Sequence, residues 1–369
     1  MKSLRIVFCF ILLLLSGCRV NKEATPMNTN YFPSETTQHE GTWLTWPHRF
    51  TYGRAYQHEI EPIWIAMTKA LTSGENVHLI AYNAREQKRI TTLLTHAKVP
   101  MNKVDFTIAK SDDVWSRDTG PLFVRTSTGK LAIADFKFNG WGGKAAHKND
   151  NRLPAAVAKV KKLPRLSIPG FVLEGGSVEL DGHGTAMLCK SSVLNRNRNP
   201  GISQAKAEAY LTKYFGVTHF IWLDGVVGED ITDAHIDGMA RLFDDQTILT
   251  VSKTDFYQLY EGIHRQDYTK LQNATNAHGK PYKLVTLPMT AKNVRGLDYK
   301  GSYLNYYAGN DAVLVPTYHD KNDQTALKIF SRLYPDRKVV GIDVTALYQY
   351  GGMLHCVTQQ QPQALTPSH

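Results

Sequence analysis

The sequence predicts an α/β fold built from like units around one centre, and two observations carry this. Helix-spaced apolar segments alternate with short β-branched or aromatic runs, the pattern of strands connected by helices. Five short polar segments also adjoin strand-like runs: Trp115-Ser116-Arg117-Asp118, Leu173-Glu174-Gly175-Gly176, Ala234-His235-Ile236-Asp237, Tyr303-Leu304-Asn305-Tyr306 and Leu354-His355-Cys356. From Asp118 to Glu174 is 56 residues, then 61 to His235, 70 to Asn305 and 51 to Cys356. If each unit turns a strand end inward, the five segments meet although they are far apart in the chain. No repeat in residue identity accompanies the steps, and chance spacing is the competing reading.

In chain order, the first segment is an address. Lys2 and Arg5 precede an apolar run from Ile6 to Leu15, about half the length a membrane-spanning helix needs, so residues 1–17 read as a signal peptide. Leu15-Ser16-Gly17-Cys18 resembles a bacterial lipobox, in which cleavage precedes Cys18 and its thiol is lipidated. The alternative is an ordinary signal with an incidental cysteine. Residues 18–33, polar and without periodicity, are expected to be a lipidated flexible tether, and residues 34–369 the catalytic domain. The expected location is outside the cytoplasm, anchored to a membrane by lipid.

Within the domain, spacing and caps predict helices over residues 55–72, 84–97, 151–162, 203–215 and 323–334. Strands are expected at 77–82, 122–125, 171–173, 220–223, 248–251, 312–315 and 339–342. The formal charge of +10 falls to +8 when Lys2 and Arg5 leave with the signal. No Lys/Arg cluster with interleaved aromatics accompanies it, so nucleic acid is not an expected partner. Of the four cysteines, Cys9 lies in the signal and Cys18 in the lipobox. Cys189 sits in the apolar run Thr185-Ala186-Met187-Leu188 and is expected in a buried strand, unpaired with Cys356.

The strings WSRDTGP (115–121), LEGGS (173–177), LNRNRNPG (194–201), DITDAHIDGMARL (230–242), GSYLNYY (301–307) and HCVTQQQP (355–362), with WLTWPH (43–48), are similar to those of the agmatine deiminase and bacterial peptidylarginine deiminase family. The resemblance spans residues 32–362 and implies the pentein fold, a five-bladed α/β propeller with a central active site. It implies a hydrolase that removes ammonia from a guanidinium group, acting on agmatine or on arginine in peptides, with no cofactor and no metal.

The resemblance makes Cys356 the expected nucleophile, and a thiol of ordinary pKa needs a neighbour to raise its thiolate fraction. His235 is the expected neighbour. Gly351 and Gly352 would let the chain turn before the thiol. Asp118 and Asp237 match the family positions that grip the guanidinium, a planar cation suited to carboxylates; for Asp118 the competing reading is a salt bridge to Arg117. His235 and Glu174 read as the proton-transfer pair, one group acting as acid and then as base, with Glu174 holding His235 or the water. Trp115 either covers the guanidinium face or belongs to the core. Asn305 either orders the site or is structural. Trp141-Gly142-Gly143 is expected to shape a loop over the pocket.

Two other classes compete. A metal hydrolase could use His235, Asp237, His355 and Cys356 as ligands, but no HExxH or CxxC spacing is present. A guanidino-binding or polyamine-binding lipoprotein without turnover would suit a lipid anchor and an acidic-aromatic pocket. It has no need of the Cys, His and Glu set.

Overall fold

The computed structural model describes residues 30–364; the signal, Cys18, most of the tether and the last five residues lie outside the described residues. Five sheets repeat one plan: a short strand, an antiparallel neighbour joined to it, and a parallel strand reached through a longer crossover. The first set is Leu122–Arg125, Leu131–Lys137 and Arg165–Val172. The second is Val178–Leu180, Thr185–Cys189 and His219–Leu223. Ala240–Leu242, Thr247–Val251 and Lys283–Leu287 form the third, and Tyr307–Ala308, Ala312–Thr317 and Lys338–Asp343 the fourth.

The fifth sheet joins the two ends of the chain. Gln359–Pro362 pairs antiparallel with His39–Thr45, which is followed by parallel Asn76–Ala81 and Val104–Ile108. The expectation of five α/β units is therefore met, with the ring closed by strands from opposite ends. Trp43 Nε1 donates to Gln361 Oε1 at 2.9 Å across that seam.

Local chemistry explains the elements. Thr185–Cys189 and most of Ala312–Thr317 are buried continuous apolar runs, as strands covered on both faces should be. Ser203 caps helix Gln204–Phe215 by accepting from the Lys206 N–H, and Gly216 ends it with φ 72°. Asn83 caps Ala84–His96 in the same way through the Glu86 N–H. His48 opens Arg49–Leu71 six residues before the expected start at Ala55, and Gly53, at φ 86°, kinks the first turns. The helix expected from Asn151 begins at Leu153 after a short turn at Asp150–Arg152. Arg265–Gln272 and the ribbon of Met289–Asn293 with Lys300–Ser302 lack the apolar periodicity that would have revealed them.

The tether boundary moves. Tyr31 exchanges two backbone hydrogen bonds of 2.8 Å with Arg125, and the buried Phe32 ring packs edge-on against Phe215. The ordered domain thus begins before Ser34. Cys189 is buried and free, with Sγ 3.6 Å from Met239 Sδ. Among the described residues, no helix is long and apolar enough to cross a membrane.

Candidate active site

Each of the five short strands is entered from a turn that carries one of the polar segments. Asp118 lies in the turn Ser116–Thr119 before Leu122–Arg125, and Glu174 precedes the turn Gly175–Ser177 before Val178–Leu180. His235 and Asp237 flank the entry to Ala240–Leu242, Asn305 precedes Tyr307–Ala308, and Cys356 precedes Gln359–Pro362. Near-equal spacing in sequence is thus the spacing of the blades.

These turns meet at a cavity of about 190 Å³. Asp118, His235, Asp237, Cys356 and Trp115 line it, with Trp141, Asp113, Asp230, Tyr52, Tyr56 and Tyr350 among the other walls. Gly176 shows how closely the groups converge. A Cβ there would stand 2.6 Å from His235 Nδ1, 2.9 Å from Asp118 Oδ1 and 3.1 Å from Asp237 Oδ2. With hydrogen alone at that position, its N–H donates to Asp118 Oδ1 at 2.9 Å.

Asp118 is also held by the Trp141 indole N–H, which donates to Oδ2 at 2.9 Å. Trp141 adopts φ 53°, so the loop expected to shape the pocket does so by bonding a site carboxylate. Arg117 turns away from Asp118 toward Glu35, Gln360 and the His355 carbonyl, which removes the competing salt-bridge reading. Burial pushes the Asp118 carboxyl above its ordinary value; the Glu174 and Asp237 charges add to this and His235 opposes it.

His235 faces Glu174 Oε2 through Nε2 at 3.2 Å and Asp118 Oδ1 through Nδ1 at 3.7 Å. Burial disfavours the charged ring, but Asp118, Glu174 and Asp237 outweigh it and push His235 up to about 9. Glu174 is buried and bonded to Arg198 Nε at 3.0 Å, so it holds His235 and does not line the cavity. Arg198 also reaches the Thr232 carbonyl and the Asp233 carboxylate. It lies in a string that carried the resemblance, yet its role has no local sequence signal.

Cys356 Sγ is 4.0 Å from Asp237 Oδ2. Both ring nitrogens of His235 face carboxylates, and among the described residues no hydrogen bond joins His235 to the thiol. Burial pushes the thiol well up, and Asp237 and Asp118 push in the same direction. Asp237 behaves oppositely to Asp118. Burial opposes its charge, but His355, at 2.7 Å through Nδ1, together with His235 and Arg241 holds the carboxyl below its ordinary value.

Asn305 does not line the cavity. Its Nδ2 donates to Asp237 Oδ2 at 3.2 Å, and its Oδ1 accepts from the N–H groups of His355 at 3.0 Å and Cys356 at 3.2 Å. Of the two readings of Asn305, these bonds favour the one in which it orders the site. Gly351, at φ 94°, supplies the turn before the thiol, whereas Gly352 leaves room for Trp115: a Cβ there would stand 2.3 Å from the indole. Trp115 is therefore both packed and a cavity wall. Asp113, with the hydroxyls of Tyr52 at 2.9 Å and Tyr56 at 3.0 Å, forms a wall that sequence reasoning missed.

Known proteins agree with this architecture. Agmatine deiminase of Pseudomonas putida is 30% identical over 356 residues, covering 90% of this chain and 95% of that protein. The solved agmatine deiminase of Enterococcus faecalis superposes with a TM-score of 0.82 at 25% identity, covering 92% and 98%. A variant of C. jejuni agmatine deiminase solved with substrate bound gives 0.78 at 27% identity, also covering 92% and 98%. The profile of the Porphyromonas-type peptidyl-arginine deiminases matches residues 31–362. With that match spanning nearly all of the described residues, and the pentein architecture beneath it, the chain belongs to the Porphyromonas-type peptidyl-arginine deiminase family.

Proposed function

We propose that the protein hydrolyses the guanidino group of agmatine, giving N-carbamoylputrescine and ammonia through a covalent intermediate on Cys356. The observation that carries this is the convergence of Asp118, His235 and Asp237 around one point, with Cys356 Sγ 4.0 Å from Asp237, in one cavity. Two carboxylates opposite a thiol suit a planar cation whose central carbon must be attacked. The agmatine deiminases among its relatives support the choice of substrate.

Burial and the neighbouring carboxylates keep the thiol neutral, the carboxylates keep His235 protonated, and a bound cation changes the balance at the thiol. A unit positive charge about 4 Å from the sulfur, at an effective dielectric near 20, stabilises the thiolate by about 4 kcal/mol, roughly three pKa units. The substrate thus activates its own nucleophile, and the thiol proton leaves to solvent. Thiolate attack on the guanidinium carbon forms a C–S bond and a tetrahedral adduct. His235 gives its proton to one nitrogen, which departs as ammonia and leaves a thiouronium. Neutral His235 then takes a proton from water as the oxygen attacks. Collapse of the second adduct breaks the C–S bond and frees the thiolate, while the hydroxyl proton passes to solvent and leaves a neutral ureido group.

Arginine in peptides is the second reading. It is favoured by the expected export of the chain and by the exposed Tyr52, Ile231 and Tyr350 that line the cavity, which could meet groups beyond the guanidinium. The lipobox at Cys18 supports attachment to a membrane surface outside the cytoplasm. Initial rates on agmatine and on an arginine peptide, measured side by side, separate the substrates. Agmatine is expected to give the higher kcat/KM, and citrulline formation with no agmatine turnover would reverse the assignment.

A further inference from the structure

On the side of Asp237 away from the substrate lies a buried group that the reaction above does not use. His355 Nδ1 is 2.7 Å from Asp237 Oδ2, and its other nitrogen, Nε2, is 2.8 Å from Glu35 Oε2. Glu35 belongs to the entry segment just past the expected tether. The same oxygen accepts from Arg241 at 3.1 Å and Arg117 at 3.3 Å, and Glu35 Oε1 accepts from the Ala308 N–H at 3.2 Å. Arg241 is itself paired with Glu179 at 2.7 Å. The His355 ring is therefore fixed from both sides, with its backbone N–H held by Asn305.

We propose that Glu35, acting through His355, is a positioning residue for catalysis: the pair orients Asp237 and offsets part of its charge, so that the carboxylate grips the guanidinium while suppressing the thiolate beside it less than an unpaired carboxylate would. The proposal rests on the deiminase reading of the site. Each ring nitrogen has its own carboxylate within hydrogen-bond reach, so the ring cannot turn without breaking one of the two contacts. Without Glu35, one of the two hydrogen bonds is lost and Asp237 faces Cys356 with its charge less balanced. The entry segment would then be a working part of the active site, and the attachment of the domain to its tether would end in a residue that tunes it.

The test uses the full chain as Glu35→Gln, His355→Gln and the double variant, with thermal unfolding recorded for each. Agmatine kcat/KM is expected to fall about tenfold or more in each single variant, as for loss of a charge-assisted hydrogen bond. The double variant should lose no more than the worse single one, because both act on one path to Asp237. A double loss equal to the product of the two would overturn the relay, as would parental turnover in Glu35→Gln. A second readout needs no guanidino substrate: the pH profile of Cys356 alkylation by iodoacetamide should move to higher pH in Glu35→Gln, and an unmoved profile contradicts the proposal. If Glu35→Gln fails to fold, His355→Gln alone must give the same shift. Should the parent not turn over agmatine, the deiminase reading falls while the alkylation profile still judges the relay.

Discussion

Burial raises the Asp118 carboxyl, with the Glu174 and Asp237 charges adding to it, while His355 and the neighbouring cations hold Asp237 low against its own burial. A guanidinium arriving between them has its effect on Asp118. Calorimetry of Cys356→Ser with agmatine on the acid side of neutrality, in buffers of different ionisation enthalpy and repeated with His235→Ala to remove the imidazole's own proton, should therefore show protons released. Asp118→Asn should abolish the release and weaken binding; Asp237→Asn should weaken binding and leave the release in place. The exposed Asp336→Asn is the control. Equal agmatine affinity in all these variants would remove the carboxylate clamp. His235 gives a stability prediction. Its folded value of about 9 lies above the ordinary 6.5, so its contribution is complete below about pH 6.5 and lost as pH rises through 9. That contribution is on the order of 3 kcal/mol. The unfolding free energy of the parent relative to His235→Ala should shrink across this window, and a constant difference would mean the ring is not charged in the folded protein.

The turns that deliver these residues depend on small side chains and on buried partners. Gly176→Ala would place a methyl among His235, Asp118 and Asp237, so turnover is expected to drop at least a hundredfold with little change in secondary structure by circular dichroism. Arg198→Met leaves the carboxylates of Glu174 and Asp233 buried beside a neutral side chain. Breaking such a buried pair costs about 3–5 kcal/mol, which urea unfolding would register. How far the sequence foretold these elements follows their physics. Ser203 and Gly216 bracket a helix that could be read, and the apolar run ending in Cys189 announced its strand. Of the five inner strands Leu122–Arg125 could be read as a strand, whereas the other four, some only two or three residues long, could not, although the polar residues leading into them marked their places. Arg198, His355 and Glu35 escaped because each acts by contact across the fold, and contacts between distant segments leave no local pattern.

At the scale of the whole molecule, near-equal steps in the sequence correspond to five blades, and the ring closes where Gln359–Pro362 pairs with His39–Thr45. Cys356 lies just before that closing strand, so the nucleophile is set in place only when both ends of the chain have met. The lipobox reading makes its own prediction: Cys18→Ala should leave turnover intact and move the protein out of the membrane fraction, and unchanged attachment would refute it. The central claim is that Cys356 carries a guanidino hydrolysis. Its most direct test is ammonia and N-carbamoylputrescine measured together after incubation of agmatine with the parent and with Cys356→Ser. Equal amounts of both products from the parent and none from folded Cys356→Ser are expected; agmatine recovered unchanged from the parent, or turnover retained by Cys356→Ser, would contradict the account.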